Sequence, residues 1–273
     1  MSAGQPPPTR AGWMLCLDAS APQTCVALGR VHAEGAELVV RDTEADGANQ
    51  TSERLHLRLR AALDAAGIAP RDLATVACGR GPGTFTGTRV AVATAKGLAL
   101  SLGIPVVPVS TLAALAASSP QLDPGQPGHV LALLDARRRQ VYGALFSLGG
   151  PTPEAVAITA RSPERVIELA TLIEELDETL AALREAGETP WVHGPGCGPY
   201  AEQLPEDLAQ RALLAPGPTA EGLWRASLAA LGPARAGAVD PGAFGVTYLR
   251  QSYAEMGINK PKRKPYRSPF VDG

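Results

Sequence analysis

The stretch Gly79–Arg89, GRGPGTFTGTR, constrains the fold more than any other part of the chain. Four glycines and a proline fall within eleven residues, between an apolar run, LATVACG, and a long, nearly uncharged one, RVAVATAKGLALSL. The simplest reading is a strand, a tight turn and a helix from about Arg89 to Leu102, and the apolar IPVVPVS that follows supplies a second strand. A strand–helix–strand unit of this length pairs its strands in parallel. The chain is therefore of the α/β class.

As a phosphate loop the stretch is incomplete. The pattern GxxxxGK[ST] needs a lysine after the last glycine, and Lys96 lies too far along the helix. The pattern GxGxxG fails because Gly79-Arg80-Gly81-Pro82-Gly83 ends on Thr84. Two roles stay open. The glycines let a tight turn approach another backbone, or free N–H groups at the helix start favour an anion.

The rest of the chain repeats one plan twice. Residues 1–12 are rich in proline and read as disordered. WMLCLDAS, TCVALGRVHAEG and AELVVRD read as an antiparallel meander. SERLHLRLRAALDAAG then places Leu55, Leu59, Ala62, Leu63 and Ala66 at helical spacing, closed by Gly67. In the second half, HVLALLDARRRQVYGALFSL is again a hairpin with an aspartate ending its first strand. An acidic helical stretch follows, and WVHGPGCGPYAEQL reads as strand, glycine loop and helix. The expected organisation is a first lobe over 13–110, a second over 111–215, a C-terminal helix over 216–235, and a C-terminal segment over 236–273. That last segment holds five cations and no acid between Asn259 and Arg267. It reads as a solvated extension or as a salt-sensitive contact to RNA phosphates.

Catalytic machinery is thin. Asp18 and Asp135 end their strands in matching places, where a carboxylate either holds magnesium beside phosphates or caps its own turn. The four histidines, His32, His56, His129 and His193, form no HxxxH or HExxH pair, and no serine or cysteine sits in a GxSxG setting. Cys16, Cys25, Cys78 and Cys197 form no CxxC pair, and no secretory signal opens the chain, so a reduced, cytoplasmic protein is expected. The net charge of −2 argues against an overall basic nucleic-acid binder. Residues Gly97 to Leu122 carry no charge, but Gly103, Pro105 and Pro108 divide them into pieces too short to span a membrane.

The helices around the loop say more. RVAVATAKGLALSL is apolar almost all round, interrupted by Lys96 and Thr94, and Leu57 lies opposite Leu55 and Leu59 on the other helix. Faces of that kind need cover on both sides, from this chain or from a partner.

The segments LDAS, GRGPGTFTGTR, RVAVATAKGLAL, VSTLAALA, LDARRRQVYGALF, VHGPGCGPY and YLR (Tyr248 to Arg250) resemble, in order and content, the bacterial TsaB (YeaZ) family over about residues 13–250. The resemblance implies the duplicated, two-lobed, actin-like ASKHA fold. It implies a subunit that is itself inert and that pairs with TsaD, which transfers a threonylcarbamoyl group to the adenosine next to the tRNA anticodon. TsaE, an ATPase, completes that complex, and tRNA is met through it. Carried over, the contact with TsaD uses Ser52–Ala66 and Arg89–Leu102, with Leu55, Leu57, Leu59, Ala91, Ala93, Thr94, Gly97 and Leu98 as candidate interface residues. The family-signature loop comprises Gly79, Arg80, Gly81, Pro82, Gly83, Thr84, Phe85, Thr86, Gly87 and Arg89. No catalytic or metal residue is implied, nor a cofactor for this subunit alone, with ATP or ADP expected only at the junction of the complex. TsaD carries two metal-binding histidines on the matching helix; here His56 stands alone, and Thr51 replaces the histidine common in TsaB sequences. In the absence of TsaD both a monomer and a homodimer through the same helices stay open, the second because an exposed apolar patch seeks cover. Two other readings stay in play, an ATP-dependent small-molecule kinase of the ASKHA fold and a glycoprotease-like metallopeptidase.

Overall fold

A computed structural model of the chain describes residues 12–45, 51–121, 127–150, 157–232 and 235–249. The basic tail and all but the last of residues 1–12 lie outside them. Gly12 itself opens the first strand, where disorder was expected.

The first half runs β1 (Gly12–Asp18), β2 (Gln23–Val31), β3 (Ala36–Ala45), α1 (Thr51–Ala66), β4 (Leu73–Gly79), α2 (Phe85–Leu102), β5 (Val106–Val109) and α3 (Thr111–Ala116). The second runs β6 (Gly128–Asp135), β7 (Val141–Gly149), β8 (Ala157–Ala160), β9 (Arg165–Ile167), α4 (Leu169–Glu175), α5 (Asp177–Glu185), β10 (Trp191–His193), α6 (Glu206–Ala209), β11 (Ala212–Leu213) and α7 (Ala220–Leu231). The first sheet has the order β3-β2-β1-β4-β5, and the second β11-β10-β6-β7-β8 with β9 also on β7. In each, an antiparallel hairpin extends through parallel strands from its first member, β1 to β4 and β6 to β10. This is the duplicated plan expected of the ASKHA fold.

Apolar residues cover both faces of each sheet. On the first, Leu15, Leu17, Val26, Leu28 and Val76 meet Leu55, Leu59, Leu63, Ala91, Val92, Ala95 and Ala99 of α1 and α2. Its other face, with Met14, Cys16, Cys25 and Ala27, packs on Leu223 and Trp224 of α7. The second sheet buries Leu131, Leu133 and Leu145 against α4 and α5, and Val130, Ala132 and Phe146 against α3. Since α3 and α7 also touch each other, they form a middle layer between the sheets, while α1 and α2 lie on an outer face. Arg58 fastens α1 to β3 through Asp42 and Glu44.

Two local expectations change. The helix after the glycine loop starts at Phe85, one turn before Arg89, because Thr84 takes extended dihedrals as its N-cap and the small Gly87 and Thr88 fit the first turn. The segment after β10 forms two short 3₁₀ turns, Pro195–Cys197 and Ala201–Gln203, in place of an α-helix. Three glycines and two prolines within Gly194–Pro199 deprive it of helix formers. All four cysteines are buried as free thiols, and burial pushes Cys16 and Cys197 up to about 12, as fits small apolar groups. Among the described residues no helix is long and apolar enough to cross a membrane.

Candidate functional site

The glycine loop sits where four segments meet. Arg80 donates its N–H to the Val109 carbonyl (2.9 Å), and the Gly81 and Arg80 carbonyls accept from the N–H groups of Thr111 and Thr247 (3.0 and 2.9 Å). The Thr84 N–H reaches the Ser20 carbonyl of the β1–β2 turn at 2.6 Å. A Cβ on Gly83 would stand 2.1 Å from the Ser20 oxygen, and one on Gly87 1.9 Å from that of Ala19. The glycines therefore serve close approach to a neighbouring backbone, the first of the two roles left open above.

Asp18 and Asp135 both cap their own turns. The Ser20 N–H donates to Asp18 at 2.7 Å, and the Arg137 N–H to Asp135 at 2.7 Å. Beyond that the two differ. Asp18 is sealed: its other oxygen accepts from the Thr111 hydroxyl at 2.8 Å, and burial pushes its carboxyl above the usual carboxylate range despite those hydrogen bonds. Asp135 accepts from the Tyr200 hydroxyl (3.0 Å) and pairs with Arg137 (3.2 Å). Among the described residues no three His, Cys, Asp or Glu side chains are placed to hold a metal ion.

Between the sheets lies a cavity of about 610 Å³, reached by both hairpin turns, the glycine loop and the segment 246–249. Its wall includes Phe85 and Arg89 of α2's first turns, Tyr142, and Tyr248. Arg89 stacks on the Phe85 ring at 3.6 Å and donates from Nε to the Tyr248 hydroxyl at 2.8 Å. Lys96, farther along α2, donates to the carbonyls of Gly242 and Phe244, so the C-terminal segment is laced along this helix. Phe85 and Tyr248 are 163 positions apart, and no spacing pattern links them. The segment YLR contributed to the family resemblance, but its contact with Phe85 and Arg89 was not legible.

The candidate interface set divides. Leu55, Leu59 and Ala91 are buried in the chain's own core, so they are corrected from partner contacts to supports of the first sheet. Their helical spacing matched that of the true inward face, and only the sheet decides which side that is. Leu57, Ala93 and Gly97 point outward, with Thr94 and Leu98 half-buried at the edge; Leu98 also packs against the core. Leu100, 56% exposed, belongs with the outward group and was overlooked. The outer surface of α1 and α2 thus shows Leu57, Ala93, Gly97 and Leu100 to solvent.

Comparison with known proteins agrees with this architecture. The family model for TsaD, tRNA N6-adenosine threonylcarbamoyltransferase, matches residues 46–190. The solved YeaZ from Pseudomonas aeruginosa is 30% identical, with a TM-score of 0.68 over 87% of this chain and 100% of that one. The chain belongs to the TsaB/YeaZ family. The tRNA threonylcarbamoyladenosine biosynthesis protein TsaB of Bacillus subtilis (strain 168) is 39% identical over 111 residues, 41% of this chain and 44% of that protein. Its counterpart in Haemophilus influenzae is 36% identical over 99 residues, 34% and 41%. The matched stretch spans less than half of these curated TsaB relatives.

Proposed function

We propose that this TsaB/YeaZ-family chain is a subunit of tRNA threonylcarbamoyladenosine biosynthesis that binds TsaD and supports threonylcarbamoyl transfer without performing it. The observation that carries this reading is the outward side of α1 and α2, where Leu57, Ala93, Gly97 and Leu100 are left exposed on the layer farthest from the second sheet. The sealed Asp18 and the paired Asp135 support it from the other side, since neither is free to hold magnesium for phosphoryl transfer. On this reading TsaE joins the same assembly, tRNA is met through the complex, and ATP or ADP serves at the subunit junction. Without TsaD, two copies would cover the same face.

The test is capture of purified TsaD by this chain carrying Ala93→Glu or Leu57→Glu. Both positions face solvent, so each variant should fold, and each would trap a carboxylate against an apolar partner at a cost of about several kcal/mol. Loss of TsaD with an unchanged melting curve is expected. Capture at the wild-type level by both folded variants would overturn the proposed face.

A further inference from the structure

The last described residues of the chain lie on the wall of the cavity between the sheets. They arrive there along α2, running toward that helix's first turn. Lys96 donates to the carbonyls of Gly242 and Phe244 (3.0 and 3.1 Å), the Thr247 N–H reaches the Arg80 carbonyl, and the Tyr248 hydroxyl accepts from Arg89. Val246, Thr247, Tyr248 and Leu249 then line the cavity themselves. The residues after Leu249 therefore leave from the cavity's own wall. We propose that the chain fills this cavity itself, with residues 250–258 folded back from Leu249 onto Phe85 and Arg89.

The composition of that stretch suits the space. Residues 250–258 read RQSYAEMGI, with Tyr253, Met256 and Ile258 as apolar side chains. The cavity, about 610 Å³, is mostly apolar, bounded by Pro22, Leu134 and Val246 besides the rings of Phe85 and Tyr248. Those two rings stand 6.2 Å apart and each is about half exposed, so apolar surface at the mouth lacks cover among the described residues. Four residues of extended chain span about 13 Å, enough to bring Tyr253 from Leu249 back to Phe85. Charge agrees. Arg89 stacks on Phe85 and meets no carboxylate among the described residues, and Glu255 is the one acid between Arg250 and Val271. The five cations between Asn259 and Arg267 follow directly and stay in water, because burying them unpaired is costly. A tethered segment meets its site at an effective concentration of about a millimolar, so contacts too weak to hold a free peptide keep it seated. The inference does not rest on the TsaD reading, and an isolated chain suffices to test it.

The experiment is amide hydrogen exchange of the full chain, read by mass spectrometry at a high and a low protein concentration. Amides of residues 251–258 are expected to exchange about tenfold or more slowly than those of an unstructured chain, equally at both concentrations, while residues 259–267 exchange freely. Tyr253→Asp and Arg89→Glu should each remove that protection, and Glu255→Arg in the Arg89→Glu background should restore part of it. Leu57→Glu, on the outer face, should leave it unchanged. Protection of β1 and β4 reports in every variant that the fold is intact. Any of three results would overturn the proposal. Unprotected amides at 251–258 in the wild type would leave the cavity uncovered. Protection that fades on dilution would give the cavity to the same segment of a second copy. Protection indifferent to both Tyr253→Asp and Arg89→Glu in folded protein would put the segment elsewhere on the molecule.

Discussion

Gly97 offers the sharpest test of the partner face, because its own fold gives it no reason to be glycine. It lies in the interior of the 18-residue α2, exposed, at ordinary helical dihedrals, and a Cβ built there meets no atom within 4 Å. A glycine in a helix interior costs about 0.5–1 kcal/mol relative to alanine. Gly97→Ala should therefore stabilise the isolated chain by that amount and raise its melting temperature by roughly 2 °C. Gly97→Leu should also leave the isolated fold intact, since the longer side chain extends into solvent. Against a partner helix the outcome reverses. Closely packed helices approach to about 8 Å where small residues meet, and Ala93 and Gly97, one turn apart, provide such a meeting point. Forcing extra carbons into a packed contact costs about 1–3 kcal/mol, which is a rise of about fivefold to 150-fold in Kd for TsaD. The assay pairs thermal melts of the isolated chain with titration of TsaD, at concentrations where size exclusion shows a monomer. Gly97→Leu that melts normally and still binds TsaD within about twofold of wild type would refute the reasoning. A fall in melting temperature for Gly97→Ala would refute it differently, by showing an internal role for the glycine.

Other expectations concern the loop and two buried titrating groups. Gly87→Ala should lower stability by about 2–4 kcal/mol in urea denaturation, because its Cβ would stand 1.9 Å from the Ala19 carbonyl oxygen and the β1–β2 turn must move. Burial holds His193 down to about 4 from 6.5, so the unfolded chain takes up its proton first and stability is lost as pH falls through that window. That loss amounts to roughly 3 kcal/mol, and His193→Gln should flatten the urea midpoint between pH 7 and pH 4 accordingly. Asp18 acts with the opposite sign. Its raised carboxyl makes the folded state pay increasingly as pH rises from 3.8 through its folded value, so Asp18→Asn should gain stability relative to wild type between pH 4 and pH 8.

Much of the fold could be read from local pattern. The hairpins ending in Asp18 and Asp135, the strand–helix–strand around the glycine loop and the helix on Leu55, Leu59 and Leu63 all announce themselves within a dozen residues, because strand alternation, helical periodicity and turn residues are short-range signals. What local pattern could not supply was direction. Leu55 and Leu57 look equally apolar, yet one is buried and the other 58% exposed, and only the position of the sheet separates them. The cavity was less legible still, since Phe85 and Arg89 meet Tyr248 through a tertiary contact between distant parts of the chain.

The same distinction explains why a duplicated fold leaves one apolar outer face and not two. Both halves follow a central strand with a glycine turn, at Gly79 and at Gly194. In the first half the turn leads into Phe85–Leu102, five turns of helix with few polar residues, lying beside α1. In the second half, prolines at 195 and 199 and the glycines between them break the same segment into 3₁₀ turns. The outer layer there is built from α4 and α5 instead, and their exposed sides carry Glu174, Glu175, Glu178 and Glu185. An acidic surface repels apolar cover as firmly as Leu57, Ala93, Gly97 and Leu100 invite it. Charge reversal at Glu178 or Glu185 should accordingly leave TsaD capture unchanged, while Ala93→Glu, which gives the first outer face the acidity of the second, should abolish it.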